Sequence, residues 1–268
     1  MLPACAGCWL GMPSRTETNR NILQQVLPLG TLVLVWELVA RAGVVNPYVF
    51  PPVSAIVIQW ASLFGNGSIF APLGATVWRA LAGLGAAVII GAPLGMLMGR
   101  ARWAQWFFEP LFSFFFPLPK IALIPLYVHL FGLFSFSKVM LIFTDCIFPI
   151  VIFTYHGARG VSPIYLWSAQ ARGTSHLRMF WRVVFPLSLD SLYDGIQVAV
   201  VVAVLVAVVS EMIAGGGGLG YAMMLAFRYG DVRSAFAFLV TISLVGFFLY
   251  KVVQLLRERL LFWHVTET

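Results

Sequence analysis

Charge is scarce in this chain. Asp, Glu, Lys and Arg make up 10% of its 268 residues, against about 25% in soluble domains. With 60% hydrophobic residues and a mean hydropathy of +0.91, it cannot clothe a water-facing surface, so lipid is its expected solvent. Lysine is rarer still. Lys120, Lys138 and Lys251 are all there are, and none follows a glycine. That removes the G-K-[ST] core of a phosphate-binding loop and with it ATP hydrolysis by a P-loop in this chain. Cysteine is limited to Cys5, Cys8 and Cys146. The Cys5/Cys8 pair has no second pair to complete a zinc set, and His129, His156, His176 and His264 show no i,i+4 pairing for a metal. Short segments of alternating polarity are missing too, which argues against an outer-membrane barrel.

What is present is a succession of long apolar runs. About 20 such residues cross a bilayer as a helix, and six stretches meet or approach this: Leu23–Val45, Ala75–Gly99, Trp103–Phe131, Lys138–His156, Leu187–Ile213 and Ala235–Val253. The third is broken by Pro110, Pro117, Pro119 and Pro125. A valine-rich run, Val198–Val209, reads as helix, because an isolated strand leaves its backbone unpaired in lipid. The expected fold is an all-α membrane protein of about six spans. Residues 1–22 read as a disordered extension and 23–268 as one membrane domain. The opening Met1–Met12 lacks the basic start of a signal peptide.

The net charge of +7 is distributed unevenly. With the N-terminus inside, six spans leave Arg15, Arg20, Arg100, Arg102, Arg159, Arg172, Arg178, Arg182, Arg257 and Arg259 on the cytoplasmic side. Arg41, Lys138, Arg228 and Arg233 fall outside, with Arg79 near that boundary. Positive residues stay inside, so both termini are expected in the cytoplasm. The basic balance therefore belongs to topology and not to nucleic acid. Two stretches, Val44–Leu73 and Gly215–Arg233, are expected as external loops, with Gly215–Gly218 a flexible turn.

Between the fourth and fifth runs lies a polar island, Trp167–Pro186, with arginines at 172, 178 and 182. Gly173 permits a tight turn between two short helices. Leu177, Phe180, Trp181 and Val184 form one stripe at helical spacing. Pro186 suits the first turn of the next span. By residue chemistry alone such an elbow could lie on lipid headgroups or receive a protein.

The order of motifs resembles the permease subunits of binding-protein-dependent ABC importers, nitrate/sulfonate/taurine type. The island resembles their E-A-A…G…L-P loop, with Ala169, Gly173, Phe185 and Pro186 on pattern positions and Phe185 standing for its leucine. Phe50-Pro-Pro-Val-Ser54, Pro119-Lys-Ile-Ala-Leu-Ile-Pro-Leu126 with Phe131-Gly132, Ser210-Glu-Met-Ile-Ala214 and Gly218-Leu-Gly-Tyr221 resemble further stretches in the same order. Departures stand at Trp167, Ser168, Phe185, Asp190, Gln197 and Val204. The resemblance implies a type I-like importer fold with a coupling helix in the loop at about 158–186. Ala169, Ala171, Arg172, Gly173, Leu177, Phe180, Arg182 and Pro186 would contact the ATPase.

It implies partners as well. These are two copies of a cytoplasmic ABC ATPase subunit carrying ATP and Mg²⁺, a second permease that is either another copy, forming a homodimer, or a near relative, and an external substrate-binding protein. The chain itself would bind no cofactor. Within or beside the spans, Lys120, Asp145, Gln197 and Glu211 are candidates for the translocation pathway. Intramembrane charges face a pathway or one another, so Lys120 could meet an anionic solute or pair with Asp145 or Glu211. The rival readings are a stand-alone secondary transporter and a structural subunit of a larger complex.

Overall fold

The structure, a computed structural model, describes residues 15–43, 46 and 49–260. Among these every regular element is helical. The helices are α1 (Arg15–Arg41), α2 (Val53–Gly65), α3 (Phe70–Arg100), α4 (Arg102–Phe115), α5 (Ile124–Phe131), α6 (Ser135–Arg159), α7 (Pro163–Ala171), α8 (His176–Met179), α9 (Phe185–Ala214), α10 (Leu219–Arg228) and α11 (Val232–Leu260). A 3₁₀ turn, Lys120–Leu123, precedes α5, and a π-helical turn, Phe180–Val184, joins α8 to α9. The Cys5/Cys8 pair and His264 lie outside the described residues. α1 begins inside the stretch expected as an extension.

Glycine decides how the core packs. Lipid offers no hydrophobic drive between helices, so association relies on close approach of small residues. On α3, a Cβ added at Gly83 would strike Ile142. One at Gly91 would meet Ile150, one at Gly95 would strike Val151 and Thr154, and one at Gly99 would strike Ala158. All these partners lie on α6 in constant register, so the two helices run parallel and in contact along most of their length. Parallel neighbours require a return crossing between them. α4 and α5 supply it as a span bent by 84°. The bend sits at Pro117 and Pro119, which cannot continue the helical ladder. α9 then runs antiparallel to α6: Gly195 sits against Phe153 and Ile150, Gly157 against Ser191, and the Cys146 thiol donates to the Ala199 carbonyl at 3.4 Å.

Among the described residues four helices are long and apolar enough to cross, and a fifth crossing comes from the bent pair. The first expected span falls on α1, whose last turn is fixed to α2. Glu37 accepts from the Ser54 backbone (3.1 Å) and hydroxyl (2.8 Å), and Trp36 stacks on Phe50 at 4.9 Å. The expected loop Val44–Leu73 is not irregular throughout. Its segment Val53–Gly65 is apolar and helical, and packs on α11 through bonds from Gln59 to Ser234 (2.8 Å) and from Trp60 to Thr241 (3.1 Å). Turn residues flank that helix without interrupting it.

Candidate coupling elbow and pathway residues

The elbow begins at Pro163, whose fixed φ and missing N–H suit a first helical turn. α7 ends at Gly173, where φ is +69°. There the Gly173 N–H donates to Gln170 (2.8 Å) and the Thr174 N–H to Ala169 (3.2 Å). This paired pattern closes a helix on a left-handed glycine. Gly173 has open space around it, so backbone conformation, not crowding, demands glycine. The chain then turns into α8, and a single helical rod continues into α9: Phe180–Ala214 spans 35 residues.

At the base of that rod the Phe185 N–H donates to the Phe180 carbonyl, five residues back. Pro186 has no N–H to offer the preceding turn, and the π turn lies where that ladder is interrupted. It also shifts the phase of the expected stripe. Val184 is fully buried and Phe180 half-buried against the core, but Trp181 is 58% exposed. The four residues therefore do not form one face. Leu177 lies on α8, and its side chain is outside the described residues. Ala169 is half-buried, and Ala171, Arg172, Arg178 and Arg182 are exposed. Ile164, Tyr165 and Trp167 are all more than half exposed too, so the elbow carries exposed aromatic and guanidinium groups. Protein interfaces concentrate their affinity in such residues.

Lys120 stands at the break between α4 and α5. Its ammonium lies 3.4 Å from Asp145, 3.3 Å from the Phe116 carbonyl and 4.3 Å from the centre of the Phe148 ring. Of the two carboxylates open as partners, it has Asp145. Gln197 sits half-buried on α9, its side chain without a hydrogen bond among the described residues.

Glu211 is fully buried at the other end of α9. One oxygen takes Arg79 at 2.7 Å, and the other takes the Thr76 hydroxyl at 2.8 Å and the Gly220 N–H at 3.1 Å. In this conformation it offers a solute no surface. Arg79 and Lys138, expected at an external boundary, are instead buried, at 5% and 2% exposure. Their donors explain the difference. Arg79 also donates to the carbonyls of Gly216 (2.9 Å) and Gly217 (2.8 Å), and Lys138 to that of Gly215. The tetraglycine turn expected to be flexible is thus fastened from beneath. All four glycines have positive φ, and a Cβ at Gly218 would collide with the Glu211 carboxylate. Sequence reasoning missed this cluster. The signal was available in a cation on each of α3 and α6 with an acid on α9, but only tertiary contact assembles them.

Residues 91–262 match the family described as binding-protein-dependent transport system inner membrane component. The chain is 26% identical to the taurine transport system permease protein TauC of Escherichia coli, over 93% of each chain. It is 28% identical to the putative aliphatic sulfonates transport permease protein SsuC of Bacillus subtilis, covering 87% of this chain and 84% of the relative. A probable ABC transporter permease of Brucella melitensis is 31% identical over 92% of this chain and 98% of its own. Among solved structures, an inward-facing MetNI methionine ABC transporter superposes with a TM-score of 0.59 at 16% identity. That match covers 72% of this chain and 94% of the other. The shared fold and the family match over most of the membrane domain agree with the ordered motifs: the chain belongs to the binding-protein-dependent inner membrane components, the multi-pass permeases of ABC importers.

Proposed function

We propose that this permease forms the membrane pathway for a small anionic organic solute of the sulfonate or taurine class, and that a separate ATPase drives it from the elbow at Pro163–Pro186. The observation that carries the reading is the elbow itself. It joins the exposed Trp167, Arg172, Arg178, Trp181 and Arg182 to a helical rod long and apolar enough to cross the membrane. Closure of two ATPase subunits on ATP and Mg²⁺ draws two such elbows together. The permease populations then shift between inward- and outward-open states through differential binding. A second copy of this chain completes the pathway, and an external binding protein delivers the solute.

The elbow faces the cytoplasm in this reading, with both termini on its side. The packing supports this. Gly99 lies against Ala158, so Arg100 and Arg159 share an end, and Arg257 joins the elbow end of α9. Arginine thus collects where the elbow is, as retention of positive residues inside requires. The solute class is supported by the names of the relatives and by Lys120 at the broken span, since discontinuous helices inside a membrane line transport sites. Asp145 holds Lys120 in the present arrangement, so an anion must open that pair to engage it. Ala169, Ala171, Gly173, Leu177, Phe180 and Pro186 shape the elbow, and the arginines and tryptophans face the ATPase.

The test replaces Gly173 with Trp in the complete transporter. A positive φ strains any L-residue there, so the elbow must change shape while the core beneath it does not. Uptake and solute-stimulated ATP hydrolysis should fall while the permease still reaches the membrane. Unchanged uptake would remove the proposal.

A further inference from the structure

We infer that Arg257 is a positioning residue for coupling, a strut that makes α11 follow the elbow. The inference rests on the elbow being the ATPase site. Asp190 and Asp194 lie one turn apart on α9, just beyond Pro186. Like charges at that spacing repel. Arg257, near the end of α11, answers both: its Nη2 is 2.6 Å from Asp190 Oδ1 and its Nη1 is 2.9 Å from Asp194 Oδ1. One guanidinium fork thus spans two carboxylates, a geometry that lysine cannot reproduce.

The strut matters because, while near it only apolar side chains such as Leu249 and Val253 pack on the core that α9 shares, the far part of α11 is held elsewhere. Its far end is tied to α2 by the Gln59–Ser234 and Trp60–Thr241 bonds, and packs with α10 through Leu219, Met223, Ala235 and Phe238. Between the two ends, α9 and α11 part around an apolar groove of about 670 Å³ that includes Val201, Val208, Gly246 and Phe247. A displacement of the elbow travels along the continuous α8–α9 rod to Asp190 and Asp194 within two or three turns. Arg257 passes it to the near end of α11, which then tilts about its tied far end. The three side chains are 30–40% exposed. Exposed pairs contribute little to stability and weaken in salt, so the effect belongs to coupling and not to folding.

The measurement is solute uptake per ATP hydrolysed, in proteoliposomes holding permease, ATPase and binding protein. Arg257→Gln should lower that ratio about fivefold or more, with ATP hydrolysis and membrane assembly retained. The exchange Arg257→Asp with Asp190→Arg should restore it, because Arg then bridges Asp194 and the new carboxylate. Raised salt should lower the ratio in the parent and leave Arg257→Gln unmoved. A ratio unchanged by Arg257→Gln, or lost equally in the exchange variant, overturns the strut. If Arg257→Gln does not assemble, the exchange and Arg257→Lys read the same ratio. Gly173→Trp, run in parallel, separates the two ideas. If it abolishes uptake while Arg257→Gln keeps the parent ratio, only the strut fails. If uptake survives Gly173→Trp, the elbow reading fails.

Discussion

The buried cluster of Arg79, Glu211 and the glycine carbonyls makes a prediction with a definite sign. Replace Arg79 with Leu. Glu211, fully enclosed, then keeps only the Thr76 hydroxyl and the Gly220 N–H as direct partners, and the carbonyls of Gly216 and Gly217 lose their donor. Breaking a buried pair by removing one partner costs about 3–5 kcal/mol. The Lys138 ammonium remains close enough to offset part of the unpaired acid's charge, which places the expected loss near the lower figure, about 3 kcal/mol. Glu211→Leu is expected to cost at least as much, because it leaves two buried cations, Arg79 and Lys138, without a carboxylate.

The decisive variant is the double one. Arg79→Leu with Glu211→Leu removes both charges, and replacing a buried ion pair by apolar groups is often near neutral. Its cost is set mainly by the buried Gly220 N–H, left without its acceptor, about 1–3 kcal/mol, since the Gly216 and Gly217 carbonyls lie where water reaches them. The double variant should therefore unfold later than either single when detergent-solubilised permease is titrated with a denaturing detergent and followed by tryptophan fluorescence. If the two single losses simply add, the residues are not coupled and the reasoning about the cluster is wrong.

Two further expectations follow from the geometry. Gly95→Ala should destabilise the α3–α6 contact by about 1–3 kcal/mol, because its Cβ would lie 2.6 Å from the Val151 carbonyl and 2.8 Å from Thr154. Gly85→Ala, with nothing within 4 Å, should be neutral or slightly stabilising by helix propensity; equal effects at the two sites in the same unfolding titration would refute the packing account. Lys120→Met should raise the solute concentration for half-maximal uptake while leaving assembly intact, and Asp145→Asn, which releases the ammonium, should lower it. If neither substitution moves that concentration, Lys120 is no part of the pathway.

Five of the six expected crossings and the break in the third were legible because each depends on local chemistry, apolar length for a span and proline for a break; the first expected one, on α1, is not among the described helices long and apolar enough to cross. Gly173 and Pro186 were legible for the same reason, since a left-handed turn and a first-turn proline are backbone demands of single residues. Position 177–184 shows where that logic stops. Its spacing predicts one apolar face at 3.6 residues per turn, and the π turn rotates Trp181 out of it. Nothing in the run Phe180–Val184 announces a change of period, because the cause is a proline downstream together with the packing of Val184. Arg79, Lys138 and Arg257 are a stronger case. Each was countable as a loop or flanking charge, and each is engaged with helices or glycines remote in sequence. A charge beside an apolar run has two destinations, water or a buried partner, and hydropathy scores them alike. What separates them is whether a carboxylate or an unpaired carbonyl lies within reach after helices pack. That is set by the constant register of α3 on α6, and so ultimately by glycines at 83, 91, 95 and 99 that look, in sequence, like weak points in a helix.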